Sequence, residues 1–362
     1  MDSSPSPAFS ALAQIVAAPQ HGPRPLPLFL NILWRETEGD AALRRRAFAG
    51  LRRYQQAPRP PTPPAMPCVA TAGPARLLRY GAQQDKHPVV FVPSLINPPQ
   101  VLDLSESRSM LRHISAAGHD AYLIDWGAPG PEDAMLGLDR HVTDRLLPLL
   151  ATLTRPPILV GYCLGGTLAL GAAALRPFPA VATVATPWRF DGFPQADRDL
   201  VTGLWDKAKV TCARLGYVPM EVLQSGFWAM DPARTIRKYA AFADADPGSD
   251  AERAFLAVED WANGGAPLTH AAGRDLFESF YGANASGSGA WRIDGQPVDP
   301  PALTCPTLSI VSTSDRIVPA AAGPALVDQR SLSLGHVGMV AGGRAQSSLW
   351  EPLSGWLSSH GG

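Results

Sequence analysis

The chain has almost no excess charge of either sign. Its 362 residues include 31 lysines and arginines against 32 aspartates and glutamates, which gives a formal net charge of -1. This balance gives no electrostatic reason to expect nucleic acid or an anionic membrane surface as the main partner. We therefore expect no nucleic-acid binding.

Cysteines are scarce, and the four that occur are far apart, at Cys68, Cys163, Cys212 and Cys305. No Cys-x-x-Cys pair is present, which argues against a disulfide framework and a structural zinc site. The first residues, MDSSP, lack a basic region followed by an apolar core. No stretch approaches the roughly 18 uninterrupted apolar residues of a membrane helix. We expect reduced thiols, a cytoplasmic location and no transmembrane segment.

Sequence motifs for common cofactors are also missing. No Gly-x-Gly-x-x-Gly follows a predicted strand, and no phosphate loop with Gly-Lys-Ser/Thr is present. The chain has no His-Glu-x-x-His pair of metal ligands. The sequence therefore predicts no bound metal and no organic cofactor.

Proline, in contrast, is abundant, with 37 residues that are unevenly distributed. The run PRPPTPPAMP at residues 58–67 favours an extended, semi-rigid linker. Residues 1–67 are therefore interpreted as an N-terminal arm and linker. Within the arm, residues 25–56 look helical, and the basic run at 41–46 is interpreted as a solvated face.

After the linker, short apolar runs alternate with helical segments, which predicts an α/β fold with a mostly parallel sheet. An aromatic-rich region at 188–301 interrupts this alternation and is interpreted as an inserted, mainly helical cap. The core is predicted at 68–187 and 302–362. Strands are predicted at 89–92, 121–124, 158–160, 180–186, 307–311 and 331–334, and helices at 105–117, 136–153, 167–175, 320–327 and 347–357.

A candidate nucleophile lies where the strand at 158–160 runs into GYCLGG and then a helix. This context is typical of the turn on which α/β-hydrolases carry their nucleophile. The helix N-terminus behind Cys163 favours the thiolate, and the N–H of Leu164 is predicted to face a developing oxyanion. A small buried cysteine is the alternative, but the bracketing glycines favour the nucleophile. The other three cysteines lack such glycines and are interpreted as structural.

A general base and an orienting acid follow in the chain order that this fold uses, nucleophile, acid and histidine. Asp315 lies just after the strand at 307–311, and His336 lies between glycines in LGHVG. A plain turn residue is the alternative for Asp315. A second oxyanion donor is expected in the loop after the strand at 89–92, where Ser94 and Leu95 are the candidates and an ordinary loop residue is the alternative.

Several further segments are distinctive, namely VPSLIN at 92–97, LDL at 102–104, GHDAYLIDWG at 118–127, GYCLGGT at 161–167 and GHVG at 335–338. Together with Asp315 they resemble the catalytic domain of polyhydroxyalkanoate synthases, and weaker similarities lie in Lys238-Tyr239, Glu259-Asp260-Trp261 and Phe280-Tyr281. The overall length is similar to that of the short synthase subunits that work with a second subunit. One departure is Arg316, because the family usually has His directly after its catalytic Asp.

The resemblance implies an acyltransferase that polymerises (R)-3-hydroxyacyl groups from coenzyme A thioesters into polyester and releases coenzyme A. Cys163 would carry the acyl group as a thioester, His336 would move protons, and Asp315 would orient the imidazole. The implied partners are 3-hydroxyacyl-CoA and the growing polyester chain, at the surface of polymer granules. Either a homodimer or a second synthase subunit would complete the assembly.

Two other functions stay open on the sequence. The same triad with water as the acceptor would make a thioesterase, an esterase or a polyhydroxyalkanoate depolymerase. A protein with this fold that only binds granules or a partner is the third hypothesis, although the intact set of Cys163, Asp315 and His336 argues against it.

Overall fold

A computed structural model describes residues 22–59, 63–81 and 87–361. The first third of the predicted arm and part of the Pro-rich linker therefore lie outside the described residues. Contacts between Cα atoms divide the chain into a smaller unit, residues 1–60 with 232–263, and a larger unit, residues 61–231 with 264–362. The predicted boundaries of arm, core and cap stay a prediction.

The larger unit is built on a sheet of eight strands, in the spatial order β1-β2-β4-β3-β5-β6-β7-β8. Strands β3 to β8 are mutually parallel, whereas β2 is antiparallel to both of its neighbours. This arrangement agrees with the predicted mostly parallel sheet. The strands are β1 (Cys68–Ala72), β2 (Ala75–Arg79), β3 (Val89–Val92), β4 (Ala121–Asp125), β5 (Ile158–Tyr162), β6 (Val181–Val184), β7 (Thr307–Ser312) and β8 (Asp328–Leu332).

The five central strands, β3 to β7, are buried along their whole length. A parallel strand that is covered on both faces favours apolar residues, and each of these strands contains two or more adjacent apolar residues. Strands β1 and β8 at the two edges of the sheet, and β2 beside β1, differ because they contain exposed or half-exposed positions. Strands β1 and β2 were not predicted from the sequence for this reason.

The main helices occur in both units, and they make up most of the region between β6 and β7. They are α1 (Leu26–Glu36), α2 (Ala41–Gln56), α3 (Met110–Ala116), α4 (138–150), α5 (Leu164–Leu175), α6 (Gln195–Leu215), α7 (Met220–Met230), α8 (Pro232–Phe242), α9 (Asp250–Ala262), α10 (270–282), α11 (Gly338–Ala341) and α12 (346–360). None of the helices within the described ranges is long and apolar enough to cross a membrane.

Two predictions near the C-terminus are wrong. The helix predicted at 320–327 is only the short turn Ala320–Ala322, because Gly323 adopts an extended conformation ahead of Pro324. Proline disfavours the helical conformation in the residue before it and lacks the N–H that would continue a helix. The strand predicted at 331–334 has other bounds, Asp328–Leu332, because four polar residues precede its single leucine and leave no apolar run to mark its start.

The smaller unit packs α1 and α2 against α8 and α9. The rings of Phe29 and Tyr54 meet the ring of Tyr239 at 4.8 and 5.8 Å. Glu259, buried in α9, accepts hydrogen bonds from Lys238 at 2.6 Å and from Tyr239 at 2.9 Å. A buried carboxylate is stable when donors surround it in this way. Two of the weaker similarities to the synthase family, around Lys238 and Glu259, therefore lie in the packed interior of this unit.

Helix α5 begins directly against the chain that leaves β3. An ideal Cβ atom on Gly165 would lie 2.1 Å from the Val92 carbonyl oxygen and 2.3 Å from the Pro93 carbonyl oxygen. Real Cβ atoms do not approach so closely, and these neighbours are backbone atoms that cannot rotate away. The glycine after Leu164 is therefore required for α5 and the loop after β3 to meet.

We expect Gly165→Ala to lower the free energy of unfolding by about 2 kcal/mol or more, because the backbone must move to admit the methyl group. Urea unfolding measures the effect. The matched control is Gly355→Ala in α12, where no atom lies within 4 Å of the added Cβ. Alanine there should raise stability by up to about 1 kcal/mol. If Gly165→Ala unfolds with the same midpoint urea concentration as the wild type, the prediction is contradicted.

Candidate active site

Cys163 occupies a strained turn between β5 and α5. Its backbone has φ 54° and ψ -132°, a conformation that costs a residue with a side chain about 1–3 kcal/mol. The Cys163 N–H donates to the Val184 carbonyl at 2.9 Å, and its carbonyl accepts from the Gly166 N–H at 2.9 Å. A Cβ on Gly161 would lie 2.2 Å from the Gly166 Cα. The turn therefore closes only with glycine at position 161, and it leaves the Cys163 side chain half-buried.

Asp315 and His336 reach the same place from the ends of β7 and β8. The Nδ1 atom of His336 lies 2.7 Å from the Asp315 Oδ2 atom, and the two side chains are 9% and 0% exposed. The other Asp315 oxygen accepts the N–H groups of Ile317 at 2.8 Å and Val318 at 3.0 Å. The charge of Cys163 contributes to the pKa of His336, so the sulfur lies within electrostatic range of the imidazole. The structure therefore pairs His336 with Asp315 and brings Cys163 close to them, while the catalytic triad stays a prediction.

The electrostatics of His336 favour the charged imidazolium. Burial by itself lowers the pKa of this side chain, but the negative charges of Asp315 and Cys163, and its hydrogen bonds to them, raise the pKa from 6.5 to about 10. Nδ1 must carry a hydrogen, since a carboxylate only accepts. His336 therefore carries a hydrogen on each ring nitrogen at neutral pH.

Tyr162, the last residue of β5, supports His336 and was not predicted from the sequence. Its ring lies 5.1 Å from the imidazole with an interplanar angle of 32°, and its hydroxyl donates to the His336 carbonyl at 3.3 Å. Burial, together with the charges of Cys163 and Asp315, holds the pKa of Tyr162 well above its usual value, so it stays a neutral donor. Its position directly before the predicted nucleophile was the signal available for it.

The oxyanion candidates lie around the first turn of α5. Leu164 is the first residue of that helix, where N–H groups have no partner within the helix. The hydrogen bonds of residues 22–59, 63–81 and 87–361 include none donated by the N–H groups of Leu164, Ser94 or Leu95. The Ser94 hydroxyl accepts the Ile96 N–H at 3.0 Å. Leu164 and Leu95 as oxyanion donors stay a prediction.

Arg316 points away from the triad. Its side chain is 73% exposed and pairs with Asp231 at 3.4 Å. The hydrogen bonds that hold the Asp315 carboxylate come from backbone N–H groups, so the side chain at position 316 takes no part in them. The departure from the usual His therefore leaves the acid intact.

The region between β6 and β7 contributes a cluster of aromatic side chains. The Tyr281 ring of α10 packs against Phe190 at 4.8 Å and Phe193 at 5.2 Å. Burial and the negative charge of Cys163 raise the pKa of Tyr281. Within the described ranges, no group of His, Cys, Asp or Glu side chains is arranged to hold a metal ion.

We expect His336 to titrate near pH 10 in the folded protein, against about 6.5 when unfolded. Because the folded pKa is the higher one, its contribution to stability is complete below about pH 6.5 and is lost as the pH rises towards 10. NMR of labelled histidine and urea unfolding at both pH values measure these effects. Asp315→Asn should lower the pKa, and His336→Gln should lose less stability over this range. A wild-type pKa near 6.5 would contradict the prediction.

The fold is similar to that of solved hydrolases. A thermophilic esterase from Thermogutta terrifontis matches with a TM-score of 0.50 and 15% identity, over 83% of this chain and 100% of the esterase. At this identity the likeness shows the fold alone, which confirms the predicted α/β-hydrolase fold.

Sequence comparison identifies the family, although no family model matches the chain. The poly(3-hydroxyalkanoate) polymerase subunit PhaC of Allochromatium vinosum is 30% identical over 289 residues, which cover 75% of this chain and 80% of that protein. The PhaC of Haloferax mediterranei is 30% identical over 308 residues, 78% of this chain but only 61% of that longer protein. The predicted resemblance, and with it an enzyme family, is thereby confirmed: the chain belongs to the poly(3-hydroxyalkanoate) polymerase subunit PhaC family.

Proposed function

We propose that this protein polymerises (R)-3-hydroxyacyl groups from coenzyme A thioesters into polyhydroxyalkanoate. The observation that carries the proposal is the hydrogen-bonded pair of His336 and Asp315, with Cys163 within electrostatic range on a strained turn, in a chain of the PhaC family. A thiolate is a good nucleophile for a thioester, and a neighbouring imidazolium can protonate the departing sulfur.

In the first step the Cys163 sulfur attacks the thioester carbonyl carbon of the substrate. The carbonyl oxygen becomes negative and is stabilised by the N–H groups of Leu164 and Leu95. When the carbonyl re-forms, the bond to the coenzyme A sulfur breaks, and that sulfur takes the proton of His336. The products are an acylated Cys163, neutral His336 and free coenzyme A.

In the second step a hydroxyl group from another 3-hydroxyacyl unit attacks the carbonyl carbon of the acyl group carried by Cys163. His336, now neutral, takes the hydroxyl proton as the oxygen bonds to the carbonyl carbon. Cys163 leaves as a thiolate beside the regenerated imidazolium, and the new bond is an ester. Asp315 keeps the Nδ1 hydrogen in place, so that the opposite ring nitrogen handles the proton in both steps.

Polymerisation requires that the acylated Cys163 meets a hydroxyl group before it meets water. The aromatic group of Tyr281, Phe190 and Phe193 supports this requirement, because Phe190 and Phe193 are buried and the Tyr281 ring packs against both. Excluding water from a reactive intermediate is an established use of a covering segment. We include in the proposal a homodimer or a second synthase subunit as partner, and a cytoplasmic location at the surface of polymer granules.

The test supplies 3-hydroxybutyryl-CoA and follows coenzyme A release by chromatography and product length by size exclusion, with and without a candidate second subunit. Coenzyme A release with polyester as the product supports the proposal. Free 3-hydroxybutyrate as the only product would assign a thioesterase instead. Absence of any coenzyme A release in both arms would indicate a binding protein.

We expect Cys163→Ala to reduce coenzyme A release at least about a thousand-fold, because the acyl acceptor is lost. Cys68→Ser is the matched control, since Cys68 is an exposed thiol of the same unit. It should keep the wild-type rate. Both rates are measured at saturating 3-hydroxybutyryl-CoA. Retained turnover in Cys163→Ala would overturn the assignment of the nucleophile.

Arg316→His, which introduces the residue that the family usually has, should leave the rate within about twofold of the wild type. The reason is that backbone N–H groups of Ile317 and Val318 hold the Asp315 carboxylate, whatever side chain stands at 316. The steady-state rate of coenzyme A release measures this effect. A tenfold change in either direction would show that residue 316 acts on the triad.

A further inference from the structure

Trp126 lies where β4 ends, in a turn that is firmly held. The Asp125 carboxylate pairs with Arg76 and accepts the Gly127 N–H at 3.0 Å. Gly127 has φ 68°, and a Cβ there would lie 2.3 Å from the Pro74 carbonyl oxygen. A carboxylate that binds its own backbone two residues on is a common way to fix a turn. The turn presents the Trp126 indole to the interior, where it is 8% exposed.

The indole reaches the loop that carries the predicted oxyanion donor. Its Nε1–H donates to the Pro93 carbonyl at 3.0 Å in a buried hydrogen bond. The peptide plane that contains this carbonyl also contains the Ser94 N–H, which points the opposite way in a trans peptide. Trp126 therefore fixes the direction in which the Ser94 N–H points.

A second hydrogen bond holds the peptide between Leu95 and Ile96, because the Ser94 hydroxyl accepts the Ile96 N–H at 3.0 Å. The Leu95 N–H belongs to the peptide between Ser94 and Leu95. This peptide lies between the two that are held, so the direction of the Leu95 N–H depends on both hydrogen bonds. Removing the indole N–H would release one of the two restraints.

The loop and Trp126 line the same small pocket. Leu95, Trp126 and His141 are among the residues that border this pocket, which has a volume of about 30 Å³. The His141 ring meets the Trp126 ring edge-on at 6.0 Å, and burial lowers the pKa of His141 to about 4, so this neighbour is neutral. The hydrogen bond to Pro93 therefore adds a directional restraint that this packing does not supply.

We propose that Trp126 is a positioning residue for acyl transfer, whose indole N–H orients the Pro93–Leu95 backbone so that its N–H groups meet the oxyanion. This role rests on the proposed function of Cys163 as the acyl acceptor. A donor misplaced by a fraction of an ångström stabilises the developing charge less. The substrate before attack carries no such charge, so its binding should change little.

The experiment compares Trp126→Phe with the wild type in two reactions of Cys163. Alkylation by iodoacetamide forms no oxyanion, and its rate should stay within about twofold. Acylation by 4-nitrophenyl butyrate and by 3-hydroxybutyryl-CoA does form one, and kcat should fall about tenfold with KM within twofold. Should Trp126→Phe fail to fold, benzothienylalanine at position 126, which keeps the bicyclic shape without the N–H, gives the same comparison.

The matched control is Trp350→Phe, which removes a buried indole donor to the Val340 carbonyl, also at 3.0 Å. It should lose similar thermal stability and keep the wild-type acylation rate. Equal losses of acylation in the two variants, equal losses of alkylation and acylation in Trp126→Phe, or wild-type acylation in Trp126→Phe would each overturn the role. If the wild type releases no coenzyme A, the polymerase proposal fails, while acylation by the nitrophenyl ester still tests Trp126.

Discussion

The positive φ of Cys163 is the constraint on which the rest of the active site depends. A side-chain-bearing residue holds that conformation only where its surroundings over-determine it. Here β5 and α5 meet at Gly161 and Gly166, while α5 and the loop after β3 meet at Gly165. The same close contacts that force the turn also bring the N-terminus of α5 and the loop after β3 together. The strained backbone of Cys163 and the close approach of α5 to the loop after β3 therefore have the same cause.

The charges of the site depend on this geometry. Asp315 and His336 are almost fully buried, and burial alone would favour a neutral imidazole. The carboxylate and the sulfur overcome that penalty because both lie against the ring, and the carboxylate is itself held by two backbone N–H groups. A shift of the Cys163 turn would remove one of the two charges that keep the proton on His336. The acid-base properties of the site thus follow from the position of a strained backbone.

The parts of the molecule that could be predicted from sequence are those with a local signal. Strands β3 to β7 each contain adjacent apolar residues because both faces are covered, and Cys163 and Asp315 follow two of these strands. Strands β1 and β2 are more exposed and gave a weaker signal, and Pro324 ended a helix that composition alone favoured at 320–327. Tyr162 and Trp126 were not identified as supporting residues, because their partners, His336 and Pro93, are 174 and 33 residues away in the chain.

These supporting contacts also explain how a few short sequence motifs are enough to position the residues of the active site. The Asp315 carboxylate, the His336 loop and the Pro93 peptide are all held by bonds in which at least one partner is a backbone group. Almost any residue supplies a backbone partner, so the Asp315 carboxylate is held without help from the side chain at position 316. The side chains that supply the other half, Tyr162 and Trp126, are large and buried, and each makes a single directional bond. We therefore expect substitutions at position 316 to be tolerated, and substitutions of Tyr162 or Trp126 to impair the site.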